Sequence, residues 1–481
     1  MKKSMLYLAV GVLGLAACAD EVTQPGAVSG PQAAVMSAAV AQAEDAGYVV
    51  RFEAGTPASF EADVAALGGS IEFISEQGGF ANVKGLTPEG VAALSTSTGV
   101  SAMFEDVPVS LNAEGEIGMM ESMPLDVTPM SVTNPAGAFR HNYQWNMRAI
   151  NAPAAWAAGE LGSSDVTVAI LDTGIDYDNF DMNGIVDVAR SRSFIARDDS
   201  LNTLFFPTRN KVDDLNGHGT NVATQVSSGG VLFAGVNSRV RLMGVKVLGF
   251  NGSGTLGGIL AGLMYAADAG ADVANMSLGV RNGVNKALSP GFMDLTNEAF
   301  NYANAQGMIV VVSAGNDSTN MNNKGRTFAA YCEATHVICV SALGPTASTN
   351  AFTGPWTNQD AGASYSNTGR SIAVSAPGGT SKGWVASQCA RHLLQQLSAT
   401  QFSAPCNTAP GFFIAIGFAG TSQASPHVAG VVAAMVGKYG KNNPAQIRHR
   451  LVKSVDDLGK RGDDDVYGAG RINLAKALGL Q

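Results

Sequence analysis

The 481-residue sequence predicts an α/β protein built on a doubly wound, mostly parallel sheet and preceded by a small α+β unit. Two observations carry that prediction. Beyond residue 139, short and nearly continuous apolar runs alternate with helical patterns, as expected where helices cover both faces of a parallel sheet. The composition agrees: hydrophobic residues make up 46% and charged residues 14%, with 57 glycines, which suits a large packed core better than a coiled coil or a disordered chain.

The elements follow in chain order. Lys2-Lys3 precede an apolar stretch over residues 5–17, which ends in Leu15-Ala16-Ala17-Cys18. A charged start, a short apolar run and small residues form an export-signal pattern, and the run falls short of the roughly 20 residues that span a bilayer. The final tetrad has the form of a bacterial lipobox, so residues 1–18 read as a signal segment with Cys18 as lipidation candidate; a plain secretory signal is the alternative. The expected localisation is therefore outside a bacterial cell, secreted or lipid-anchored. Residues 19–46, rich in Ala, Gln, Ser, Pro and Gly, read as a flexible tether. Over residues 47–111 strand-like pieces at 48–52 and 80–83 interleave with helical stretches at 59–67 and 88–95. Residues 112–138 lack periodicity and read as a linker and processing region. From 139 to 481, strands are expected at 166–171, 240–248, 273–278, 308–312, 337–340 and 372–375, with helices at 259–271 and 296–305.

The net charge of -9 comes without any basic run, which argues against nucleic acid and anionic membrane surfaces as partners. Beyond Cys18, the cysteines are the even set Cys332, Cys339, Cys389 and Cys406, which suits disulfides in an exported chain. Of the three pairings, the nearest-neighbour one demands the least chain rearrangement. Zinc is the weaker reading, because no Cys-x-x-Cys or Cys/His spacing accompanies them.

Four polar signals sit at expected strand ends or helix starts, where such a sheet gathers its site. Asp172 follows a buried strand in Ala169-Ile170-Leu171-Asp172-Thr173-Gly174. His218 lies in Asn216-Gly217-His218-Gly219-Thr220, where a glycine turn delivers it onto the first turn of a helix. Asn316 ends the β-branched run through Ser313-Ala314-Gly315-Asn316. Ser422 opens an apolar helix in Gly420-Thr421-Ser422-Gln423-Ala424-Ser425-Pro426-His427. Taken singly, each is as well explained as a cap or turn residue. Together they divide into complementary roles: serine needs a base, the base needs an orienting carboxylate, and the oxyanion needs donors held in place.

The three blocks around Asp172, His218 and Ser422, in that chain order, resemble the subtilase family of serine proteases, whose order differs from those of chymotrypsin-like enzymes and α/β-hydrolases. Supporting blocks match as well, among them Gln144-Trp145-Asn146, Ala363-Ser364-Tyr365-Ser366-Asn367 and Tyr467-Gly468-Ala469-Gly470-Arg471. The resemblance spans about residues 140 to 481 and implies a subtilisin-type endopeptidase domain over 139–481. It makes Ser422 the nucleophile, His218 the base, Asp172 its orienter and Asn316 an oxyanion donor. Gly252-Ser253-Gly254 and Ser277-Leu278-Gly279, with Ala314 and Gly315, resemble the segments that bind a peptide as an added strand. Residues 47–111 resemble the family's ferredoxin-like inhibitory propeptide, which makes the chain a self-processing zymogen, and by the same likeness a Cys332 to Cys339 bond would border the specificity pocket.

Protein or peptide substrates and the chain's own propeptide are the implied partners, with a monomer as the expected state. No cofactor is implied for the chemistry. A structural calcium is implied only weakly: Asp181 matches one ligand position, but the segment after His218 lacks the family's other ligands, so the metal residues stay unknown. Other departures are Asn221 in place of a second histidine, Gln423 in place of methionine, and a longer excursion between Gly378 and Gly420. A noncatalytic lipoprotein that keeps the fold to bind peptides is the competing reading.

Overall fold

The computed structural model describes residues 47–111, 118–119, 123–124, 134–280, 283–285, 290–322, 325, 327–329, 331–398, 401–403, 406, 412–441 and 443–480. The signal segment with Cys18, the tether and most of the 112–138 region lie outside the described residues.

The N-terminal unit runs β1 (Tyr48–Phe52), α1 (Phe60–Ala66), β2 (Ser70–Ser75), β3 (Phe80–Lys84), α2 (Pro88–Ser95), β4 (Val100–Glu105). Its antiparallel sheet has the order β2-β3-β1-β4, the ferredoxin-like arrangement. Helix α2 starts sharply because the Thr87 side chain accepts from Gly90 N and Pro88 occupies the first turn. Along β1 the period-2 alternation of a half-exposed strand fails, for a reason the packing supplies. Val50 and Phe52 join Phe60, Val64 and Leu94 in the unit's own core, while Val49, Phe73 and Phe80 face the large domain and enter its core. Both faces of the small sheet are covered. After it comes β5 (Pro108–Ser110).

The large domain contains β6 (Thr167–Asp172), β7 (Arg192–Ser193), α3 (Ala196–Phe205), α4 (His218–Val226), β8 (Arg241–Lys246), β9 (Ser253–Thr255) and α5 (Leu256–Asp268). It continues with β10 (Val273–Met276), α6 (Pro290–Ala305), β11 (Ile309–Ser313), β12 (Val337–Gly344), β13 (Ala361–Gly362) and β14 (Ile372–Pro377). Then follow β15 (Val385–Gln388), β16 (Ala415–Phe418), α7 (Thr421–Tyr439) and α8 (Pro444–Lys453). The central sheet has the order β13-β12-β11-β10-β6-β8-β7, with β14 also paired to β12. All of its pairings are parallel except that of β13 with β12.

Strand β6 shows why the apolar runs are continuous. Val168 and Ile170 point into a core shared with α4 and α7, whereas Ala169 and Leu171 point into the core under α5 and α6. Burying such a side chain contributes about 1.5–3 kcal/mol, so alternate residues stabilise opposite layers.

Several boundaries differ from expectation. Helix α5 starts at Leu256, three residues before the expected 259, because Thr255 caps it by accepting from Gly258 N. Strand β12 runs on to Gly344, where the expected strand stopped at 340. Strands β2, β4, β5, β15 and β16 were not expected. Within the 112–138 region two short pairs form: Gly118–Met119 with Ile416 and Gly417, and Met123–Pro124 with Phe412 and Phe413. Short pairs of this kind leave no periodicity to read.

Candidate active site

The C-terminal ends of the parallel strands gather the four polar signals. Asp172 is the last residue of β6 and is fully buried. His218 is the first residue of α4, delivered by Gly217 at φ 101°, a conformation that favours glycine. The His218 Nδ1–H donates to Asp172 Oδ1 at 2.8 Å. The same oxygen accepts from Thr173 N at 2.7 Å. Because the carboxylate can only accept, the neutral ring carries its proton on Nδ1, and Nε2 keeps its lone pair for a substrate-side proton.

Asp214 organises the turn that brings His218 in. Its Oδ1 accepts from Thr173 Oγ1, Asn216 N and Gly217 N at 2.9, 3.0 and 2.9 Å. Its Oδ2 accepts from Thr220 N and Thr220 Oγ1 at 2.9 and 2.6 Å. The sequence reading missed Asp214; the signal was the Asp213-Asp214 pair just ahead of Asn216-Gly217-His218.

Ser422 occupies the first turn of α7, where backbone N–H groups have no helical acceptor and the helix dipole is positive. Four residues on, Pro426 lacks the N–H that would bond Ser422 O. That carbonyl instead accepts from Ser277 Oγ at 2.7 Å, and Ser277 Oγ also meets Ser425 Oγ at 2.9 Å. A proline inside the helix therefore frees the carbonyl that ties the serine turn to the end of β10.

Asn316 is oriented by the same turn. Its Oδ1 accepts from Thr421 N at 2.9 Å and from Thr421 Oγ1 at 2.8 Å, and Thr421 Oγ1 in turn accepts from Gly315 N at 3.0 Å. The backbone donor fixes which amide atom is oxygen, so the Nδ2 group faces away, buried and without a hydrogen-bond partner. Asn367 pins the preceding loop: its Nδ2 donates to Ala314 O, and its Oδ1 accepts from Asp317 N and Thr319 N. This accounts for the Ser364 to Asn367 block.

The expected substrate-binding residues divide by position. Ser253 and Gly254 lie in β9, which pairs antiparallel with β5, and Leu111 N donates to Gly252 O at 2.8 Å. The added strand expected for a peptide is here the chain's own segment. Leu278, Gly279, Ala314 and Gly315 line a pocket together with Tyr331 and Cys332. Ser277 instead points to the serine turn, as described. Cys332 is bonded to Cys339 and Cys389 to Cys406.

Of the departures, Asn221 has a structural use. Asn221 donates from Nδ2 to Ser387 Oγ at 2.9 Å and to Val385 O at 3.3 Å, seating the β15–β16 hairpin on α4. Gln423 is fully buried. The buried His427 is held neutral: burial lowers its pKa to about 4, its Nδ1–H donates to Gln423 O, and Asn146 Nδ2 donates to its Nε2.

The donor set at Asp181 does not suit a cation. Its oxygens accept backbone N–H groups from Leu232 and Phe233 at 2.8 to 3.3 Å, so the loop presents donors where a calcium would need carbonyl oxygens. Burial pushes its pKa up to about 7 against those bonds. Among the described residues, Asp176, Asp213 and His392 are close enough together to hold a metal. There, Arg391 donates to both oxygens of Asp176 and Arg209 to both oxygens of Asp213, which offsets the charge a cation would seek.

A parallel α/β sheet that brings a buried Asp–His pair and a helix-borne serine to its C-terminal edge defines a class of serine hydrolases. The Subtilase family profile matches residues 163–470, and the chain belongs to that family as a subtilisin-type serine peptidase. It is 28% identical to the thermophilic serine proteinase of Bacillus sp. (strain AK1), over 85% of this chain and 86% of the relative. It is 32% identical to subtilisin DY of Bacillus licheniformis, over 68% and 96%. Among solved structures, the epidermin leader peptide processing serine protease of Staphylococcus aureus shares the fold with a TM-score of 0.67 at 19% identity, covering 90% of this chain and 97% of that one.

Proposed function

We propose that this chain is the precursor of an exported serine endopeptidase with Asp172, His218 and Ser422 as its triad. Ser422 Oγ attacks the scissile carbonyl while His218 Nε2 takes its proton. The negative oxygen that forms is stabilised by Asn316 Nδ2 and the Ser422 backbone N–H. The C–N bond then breaks, His218 returns the proton to the leaving amine, and water releases the acyl group by the same steps. The observation that carries this reading is the 2.8 Å Asp172–His218 contact beside an asparagine amide whose nitrogen is left without a partner.

Residues 47–111 act in this reading as an inhibitory propeptide, since β5 takes the edge of β9 on which a substrate strand would lie. The export pattern at residues 1–18, with Cys18 as anchor, and the name of a relative, the minor extracellular protease Epr of Bacillus subtilis, support action outside the cell. The test is Ser422→Ala in the full chain. The expected result is loss of fluorophosphonate labelling and peptide hydrolysis, with the precursor left uncut. Hydrolysis at the parent rate would overturn the triad; a mutant that matures when expressed alone would overturn self-processing only.

A further inference from the structure

The hairpin β15–β16 carries a long tip closed by the Cys389–Cys406 bond. Four successive residues of that tip reach the two segments that deliver the Asp–His pair. Arg391 donates to both oxygens of Asp176, at 2.6 Å from a terminal guanidinium nitrogen and 3.0 Å from Nε, and its backbone N–H adds a third bond of 2.9 Å. It also pairs with Asp178. Asp176 lies four residues beyond Asp172. His392 Nδ1 lies 2.9 Å from Asp213 Oδ2, five residues before His218. The Leu393 side chain lies over Gly217, so close that a Cβ there would meet Leu393 Cδ2 at 3.0 Å. Leu394 N donates to Leu215 O at 2.8 Å, and its side chain packs with Leu201, Leu215 and Phe250.

The contacts are specific, and their main carboxylates are desolvated. Asp176 and Asp213 are fully buried, and charge-assisted bidentate bonds in such surroundings hold geometry better than exposed pairs do. Burial alone would raise the Asp213 carboxyl, but His392 and Arg209 outweigh it and hold its pKa below the usual value. At the hairpin's stem, Asn221 and Gln225 of α4 bond Ser387, Val385 and Ala386, and the Phe418 ring stands edge-on to His218 at 5.9 Å. The tip is thus fixed at its root to the helix that begins with His218, and at its end to the exit of β6.

We propose that residues Arg391 to Leu394 form a disulfide-closed strap whose role is to position His218 against Asp172, with Arg391 and Leu393 as positioning residues. The strap joins the Asp172 exit to the His218 turn from outside the sheet, and the Cys389–Cys406 bond holds its tip in register. This rests on the triad reading above. A shift of about 1 Å in catalytic geometry can cost roughly 100-fold in rate, so loosening the strap acts on turnover rather than on peptide binding.

The experiment expresses Arg391→Ala, Arg391→Lys, the double variant Cys389→Ser/Cys406→Ser and the parent as full chains, titrates the processed active fraction of each with a fluorophosphonate, and follows that fraction through kcat, KM and thermal melting on one peptide substrate. The expected result for Arg391→Ala and the double variant is a kcat about tenfold or more lower with KM within about twofold. The low-field proton resonance of the His218–Asp172 hydrogen bond broadens with it, and Arg391→Lys recovers most of the rate. An Arg391→Ala chain that stays folded and keeps kcat within about twofold overturns the proposal, as does a loss confined to KM. Should Arg391→Ala fail to fold, Leu393→Ala, which leaves the ion pairs in place, takes the same measurements with the same two outcomes. His218→Ala separates the two readings: full activity in that variant removes the triad, whereas an unaffected Arg391→Ala beside an inactive His218→Ala removes only the strap.

Discussion

Asn316 owes its orientation to Thr421, which donates from backbone and hydroxyl to the same amide oxygen. In the proposed mechanism, an amide turned this way offers its nitrogen to charge that exists only in the transition state. Replacing it with alanine is expected to lower kcat by roughly 100- to 1,000-fold with little change in KM. Steady-state kinetics on one peptide check this, and a change confined to KM would contradict the role. Asn316 reads in isolation as an ordinary turn residue. Only the neighbouring blocks give it a role in the sequence, and only the folded chain brings Thr421, 105 positions away, onto its oxygen. Pro426 teaches the same lesson. In the sequence it looks like a fault in a helix, whereas in the fold it releases the Ser422 carbonyl to Ser277.

At the level of elements, the junction between the N-terminal unit and α5 is a titrating one. Asp106 is buried at the start of α5, where its Oδ1 accepts from Gly257 N at 2.9 Å and from Val107 N at 2.8 Å. Its Oδ2 accepts from Asn82 Nδ2 at 2.7 Å. Burial outweighs these bonds and raises its pKa to about 6. A carboxyl raised on packing binds its proton more tightly in the packed state than in the free one. Its contribution is therefore fully present below the unperturbed value and is lost as the pH rises through about 6. The uncut Ser422→Ala chain should then show an N-terminal unit that becomes easier to unfold between about pH 4 and pH 7, by up to on the order of 100-fold in the equilibrium constant. Asp106→Asn should flatten that part of the profile. Urea titrations at several pH values measure both, and equal slopes in the two chains would remove Asp106 as the cause.

For the whole molecule, the two disulfides close loops with sequence separations of 7 and 17. The Cys389–Cys406 bond closes a loop with a sequence separation of 17, which by loop-closure entropy contributes about 3 kcal/mol. Protein recovered from outside the cell should show both pairs in non-reducing peptide maps, and a free thiol at any of the four positions would contradict the exported reading. The sequence by itself determined the layered α/β fold, because strands covered on both faces must be apolar at nearly every position. It also pointed to the proposed Asp172, His218, Asn316 and Ser422 set, because the blocks in that order supply complementary roles that no one of them shows alone. The first strand and second helix of the small unit were legible to the residue, since β1 and α2 coincide with the expected 48–52 and 88–95. Tertiary structure alone decided that β5 would take the edge of β9 and that Asp181 would meet N–H donors in place of a cation. It alone placed Arg391 to Leu394 against the segments that follow Asp172 and precede His218. These contacts join residues scores to hundreds of positions apart, through single side chains and short strand pairs that carry no period, so they form only when the packed layers bring their partners together.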